Sequence, residues 1–196
     1  MSPLPESMRR LGEEVVAYYA QAYPGRTPPY LVYVYPPKEE FAVRRDLNDL
    51  RPWLGARGVE CAAISLAELF WEAIDGSGFA EEIVAEEERA GGDPSVLATV
   101  HTTIWQILNG PPSLADRVLG RLKDLSGWAA VFLYRAGALF PSYRTSALLD
   151  DLRERLTAPV VLLYPGRLVG AYGLSFMGRC EPAHGYRAKI IAREGA

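Results

Sequence analysis

Hydrophobic residues recur along this chain in two rhythms, and the alternation between them predicts its elements. Met8, Leu11, Val15 and Tyr18 fall three or four positions apart, which predicts an amphipathic helix over residues 5–22. Pro24 to Pro29 break it. Residues Tyr30–Tyr35 are aromatic, aliphatic and β-branched with no polar position between them, the pattern of a strand buried on both faces of a parallel sheet. Pro36-Pro37 end that run, and Val43, Leu47, Leu50 and Leu54 mark one face of a second helix. A second strand, Val59–Ile64, leads into Ser65-Leu66-Ala67-Glu68, a capping-box pattern. In it the Ser65 hydroxyl can accept the Glu68 amide proton while the Glu68 carboxylate reaches back to the Ser65 amide. Leu66, Leu69, Phe70 and Ile74 then give that helix its apolar face. Strand and helix alternate, as in a parallel sheet covered on both sides.

Residues 79–125 read as helix throughout. Phe79–Ala90 is acidic, Pro94–Leu108 carries Leu97, Val100, Ile104 and Leu108 on one face, and Ser113–Leu125 carries Leu114, Val118, Leu122 and Leu125. Gly91-Gly92 and Gly110-Pro111-Pro112 separate them. The sheet pattern resumes with the strand Trp128–Tyr134, the helix Thr145–Leu156 and the strand Val160–Tyr164. Leu174–Met177 and Tyr186–Ala192 follow as two further strands at one edge. The expected fold class is α/β, a mostly parallel sheet of about five strands flanked by helices. By analogy of strand order it resembles a P-loop NTPase core without its phosphate loop. The expected organisation is one domain over residues 1–196, with a helical extension at 1–28 and a helical insertion at 79–125. A chain of this length buries about 70% of its unfolded surface, so its core needs no staples.

Composition narrows the classes. The chain is 49% hydrophobic and 23% charged, in the range of soluble globular proteins. Its net charge of −3 argues against nucleic acid as the main partner, although arginine so dominates its cations that a local basic patch stays open. The longest apolar runs, Ala129–Tyr134 and Pro159–Pro165, fall far short of the ~20 residues of a membrane span. The opening Met-Ser-Pro-Leu-Pro-Glu lacks the basic and apolar regions of a signal peptide, so a cytoplasmic protein is expected, with Cys61 and Cys180 as free thiols.

Several chemistries lack their residues. A phosphate loop needs Gly-x-x-x-x-Gly-Lys-Ser/Thr, but Lys38, Lys123 and Lys189 follow Pro, Leu and Ala, and Pro36-Pro37 stand where the first strand meets the next helix. Proline supplies no amide donor. Gly166, Gly170 and Gly173 follow a strand but no helix follows them, so they read as a hairpin connection rather than a dinucleotide fingerprint. His101 and His184 have no second ligand at metal spacing, and a Cys180–His184 pair lacks an orienting third group. The run Glu81, Glu82, Glu86, Glu87 and Glu88 reads as a solvated helix face. No catalytic, cofactor-binding or metal residue is assigned, and no cofactor is expected.

One stretch remains, Arg135 to Leu149, which begins at the carboxyl end of a buried strand and runs into a helix. Open α/β sheets place ligand and partner sites at that edge. Ser142, Tyr143, Arg144, Thr145 and Ser146 put one cation, three hydroxyls and an aromatic ring around a helix N-terminus, a candidate partner or anion site. The plainer alternative is that Thr145 or Ser146 caps the helix while Arg144 pairs with Asp150 or Asp151.

These residues also carry a resemblance. Tyr30 to Leu54, then Val131 to Leu152 with its Phe140-Pro141-x-x-Arg144 and Leu148-Leu149, then Pro159 to Gly166, Gly173 to Gly178 and Tyr186 to Lys189, resemble in order and spacing the BrxB family, long filed as a domain of unknown function. The resemblance spans most of residues 30–192, and residues 1–28 add nothing to it. It implies a role in BREX-type phage exclusion beside a methyltransferase, a large ATPase and a PglZ-type phosphatase-superfamily protein, the last being the expected partner. It carries no catalytic residues. Phe140, Pro141, Arg144 and the Tyr164-Pro165-Gly166 turn are family-marking positions; Asp150 and Asp151 depart from the family's expected amides and could pair with Arg144. The expected function is a non-catalytic binding or scaffold component. The alternatives are an enzyme or ligand-responsive switch using the Arg144 region, or a nucleic-acid adaptor; a homo-oligomer stays open.

Overall fold

The predicted doubly buried strand lies inside the sheet of the computed structural model, which describes residues 4–20, 27–123, 125 and 127–196. This strand, β1 (Tyr30–Tyr35), has all six residues buried and pairs in parallel with β4 (Val160–Val169) on one side and β6 (Lys189–Ala192) on the other. Its side chains divide by the period of two. Leu31, Tyr33 and Tyr35 enter one core with α1 (Glu6–Ala20) and α2 (Glu40–Gly55). Tyr30, Val32 and Val34 enter the other, against α3 (Leu66–Ser77), α4 (Ala80–Ala90), α5 (Pro94–Asn109), α6 (Leu114–Lys123) and α7 (Thr145–Arg153). A strand with a helix layer on each side has no face for polar residues, which is why its sequence shows none.

With β2 (Cys61–Ser65) and β3 (Ala130–Tyr134) the sheet runs in the order β2-β3-β4-β1-β6, every neighbouring pair parallel. Four helices, α3 to α6, lie between β2 and β3. The end of the first predicted helix at residues 21–22, the break at Pro24 and position 124 lie outside the described residues.

Two expectations need correction. Of the two strands expected at one edge, β6 is there, but β5 (Gly173–Phe176) is not. It folds back antiparallel onto β4, Gly166 opposite Phe176 and Val169 opposite Gly173. β4 is therefore ten residues long and runs on past the expected Tyr164. A Cβ at Gly166 would sit 2.4 Å from the Ser175 carbonyl oxygen and 2.5 Å from the Tyr164 ring, so the glycine that reads as a break is what allows the close pairing. The capping box also forms by half. Ser65 Oγ accepts from the Glu68 amide at 3.3 Å, but the Glu68 carboxylate turns to Arg135, 3.6 Å away. A cation brought in from β3 competes with the Ser65 amide for that carboxylate.

Candidate functional site

Parallel strands deliver their carboxyl ends to one edge. There β1 ends in Tyr35-Pro36, β2 in Ser65, β3 in Tyr134-Arg135, and β4 passes at Pro165. From β1 the chain crosses to β2 at the far edge, whereas from β4 it proceeds to β6 on the opposite side of β1. The order reverses between β1 and β4, the crevice where open sheets bind ligands.

A cleft of about 280 Å³ opens at this edge, walled by Pro37, Glu40, Ala67, Arg135, Pro165 and Met177. Arg135 (φ 59°, ψ 37°) and Met177 (φ 54°) are the non-glycine residues with left-handed backbone among the described residues, and both line it. Such a conformation costs about 1–3 kcal/mol and persists only where the surroundings hold it, most often at sites. The Arg135 guanidinium is loosely held, 3.4 Å from Ser65 Oγ and 3.6 Å from the Glu68 carboxylate. Across the cleft the Tyr35 hydroxyl donates to Glu40. Burial first, then the Glu40 charge, raises the Tyr35 phenol far above its ordinary range, so it remains a donor. The cleft thus presents one available cation and one anchored carboxylate.

At the outer end of β6, Arg193 ties the edge together. It donates to Glu39 at 2.6 Å and to Asp46 at 2.5 Å. Burial alone would lower its pKa, but the bonds to Asp46, Tyr33 and Glu39 outweigh that and raise it, so it stays charged.

The segment from Ser142 to Ser146 lies beyond a 3-10 turn at Ala136–Leu139, and it does not gather as one site. Ser142 Oγ lies 3.0 Å from His101 Nδ1 on α5. Tyr143 is only 2% exposed and packs inward among the helices, not outward beside Arg144. Burial first, then the Asp151 charge, pushes its phenol up to about 12. Thr145, 1% exposed, shares a 2.8 Å hydrogen bond with the Tyr186 hydroxyl. The Ser142 and Thr145 hydroxyls thus each have a protein partner, and none of the three hydroxyls serves as the helix cap, a position that Arg144 occupies with its backbone. The Arg144 side chain points to solvent with no ion pair among the described residues; Asp150 bonds Arg153 instead, at 3.1 Å. What the segment offers outward is a single guanidinium on a packed base.

Sequence reasoning overlooked Arg135, Met177 and Glu40. Arg135 had one legible signal, a cation directly after a buried strand; backbone sign at Met177 had none. Among the described residues no cluster of three or more His, Cys, Asp or Glu is placed to hold a metal, and no helix is long and apolar enough to cross a membrane. Cys61 is buried and Cys180 exposed, both as free thiols.

Against known families, residues 62–191 match the model described as BREX protein BrxB. The matched span runs from β2 into β6 and contains Arg135, Met177 and all of residues 142–146. No curated protein and no solved structure matches the chain, so the comparison with a P-loop core remains an analogy of strand order.

Proposed function

Because the chain belongs to the BrxB family and is thereby a component of BREX phage-defence systems, we propose that it acts as a non-catalytic binding module, holding another BREX protein in the cytoplasm. The partner we favour is the PglZ-type phosphatase-superfamily protein. The observation that carries the reading is Arg144, exposed and without an ion pair among the described residues, between the buried Tyr143 and the buried Thr145. Because its backbone is already ordered by the packing of its neighbours, only the side chain of Arg144 has to be ordered on binding, and arginine is enriched among the residues that dominate interfaces.

Arg144→Ala, paired with Tyr143→Ala, tests it in a pull-down of the PglZ-type protein beside melting curves. Arg144→Ala removes an exposed side chain, so stability should stay within about 0.5 kcal/mol of the parent while capture falls. Tyr143→Ala should cost about 3–5 kcal/mol, as truncations of buried aromatic rings do. Full capture by a stable Arg144→Ala would remove the reading, as would a loss of capture matched by an equal loss of stability.

A second reading, a ligand-responsive switch, draws on the two left-handed residues lining the Arg135 cleft. Met177→Gly should relieve strain and stabilise the chain if Met177 is only strained. If the cleft has no ligand, Arg135→Ala should leave phage protection unchanged.

A further inference from the structure

Away from the carboxyl edge, α4 and α5 frame a groove of about 520 Å³ that neither the Arg144 surface nor the Arg135 cleft uses. Its apolar lining is Phe79, Ile83, Val100 and Ile107, with Ile83 and Val100 buried and Phe79 half exposed. The two walls differ in charge. Of the glutamates on α4, Glu82 and Glu86 line the groove, Glu86 in an ion pair with Arg89 at 2.5 Å and Glu82 with none among the described residues; Glu81, Glu87 and Glu88 stand elsewhere on the same helix. The α5 wall, through Thr99, Thr103 and Gln106, bears no charge at all. Half-exposed Trp105 projects from the same helix.

We infer that this groove receives a basic amphipathic helix of a protein partner. The inference deepens the reading of the chain as a binding module and rests on it. An apolar trough between two helices takes side chains at i, i+3, i+4 and i+7 of a third, and α4, 11 residues long, offers about 16 Å of wall, three turns of such a helix. Glu82 at the groove, unpaired among the described residues, together with the further negative charge that Glu81, Glu87 and Glu88 give the same helix, favours lysine and arginine on the partner's polar face and speeds its approach. The same glutamates repel nucleic acid and anionic membranes. A second copy of this chain, docked by a two-fold axis, would bring acidic rim against acidic rim.

The test uses the purified full chain and fluorescence anisotropy with a labelled helical peptide of about 18 residues, leucine on one face and lysine on the other. Two control peptides carry glutamate in place of lysine, or the same leucines and lysines in scrambled order. Two variants change the chain: Glu82→Lys with Glu86→Lys reverses the charge of the α4 wall, and Thr103→Trp fills the groove, with folding of each verified by its melting curve. The cationic amphipathic peptide should bind the parent, more weakly as salt rises, and lose about tenfold or more in affinity against each variant. Both control peptides should bind about tenfold more weakly than it does. Equal binding to parent and variants, or equal binding of the scrambled peptide, would reduce the effect to diffuse charge attraction and overturn the inference. A parent dimer in sedimentation that Thr103→Trp dissociates would assign the groove to a second copy instead. No BREX partner takes part in this assay, so its failure leaves the Arg144 pull-down standing, and failure there leaves the groove untouched.

Discussion

Thr145 Oγ1 and the Tyr186 hydroxyl share a 2.8 Å hydrogen bond across 41 residues of chain, fastening the first turn of α7 to the segment that leads into β6. The Tyr164 ring of β4 meets that of Tyr186 edge-on at 5.8 Å. The bond explains why Thr145 faces inward although it opens a helix, and so why Arg144, one residue earlier, faces out.

Thr145→Val keeps the shape of the side chain and deletes its bond to the part-buried Tyr186 hydroxyl. Urea unfolding should show a loss of about 0.5–1.5 kcal/mol, the net worth of one hydrogen bond. Thr145→Ser restores the hydroxyl and should recover most of it. An unchanged midpoint for Thr145→Val would mean that this bond does not hold the first turn of α7 in place.

The carboxyl end of β1 should not take a nucleotide. Pro36 and Pro37 withhold amide donors there, and the Glu40 carboxylate stands where a phosphate would need positive charge. Mg-ATP should leave the melting temperature unchanged. Ligand at a hundredfold excess over Kd would add about 2.7 kcal/mol, a shift that a thermal scan would reveal.

Acid stability should contain a small step from Asp116. Its carboxyl lies at about 2, lowered from 3.8 first by the hydrogen bond from Arg155 and then by those from Ser113. A carboxyl depressed in the folded state stabilises it above the unfolded value, and that contribution is lost as pH falls from about 4 through 2. The pair is 40% exposed on each side, so solvent screening holds its worth to under about 1 kcal/mol. Asp116→Asn should therefore melt slightly earlier than the parent near neutrality and together with it near pH 2; a gap that persists there would point to Ser113 packing instead.

The two thiols should react unequally. Burial raises the Cys61 thiol above its ordinary value, whereas Cys180 is exposed. Iodoacetamide at neutral pH should label Cys180 in the native protein and Cys61 only after unfolding, as peptide mass mapping would show. Equal rates would place Cys61 in an open segment of the sheet.

Much of this architecture was legible because burial imposes a local rhythm. The unbroken apolar run Tyr30–Tyr35 could only be a strand covered on both faces, and Val43, Leu47, Leu50 and Leu54 could only be the inner face of α2; all are buried. The Ser65 cap was legible for the same reason, since its partner stands three residues away. Decisions between distant segments left no such mark. Whether β5 joins an edge or folds onto β4 depends on a close approach at Gly166 that a sequence cannot distinguish from a turn. Glu68 chooses between a local amide and Arg135, which reaches it only once β2 and β3 pair. The segment from Ser142 to Ser146 announced its chemistry but not its direction, because His101 and Tyr186, which take its hydroxyls, each stand 41 residues away. Periodicity is a property of neighbours along the chain, and it told which residues seek the core. Which polar groups remain free for a partner depends on what the fold brings beside them, and that only the tertiary structure decided.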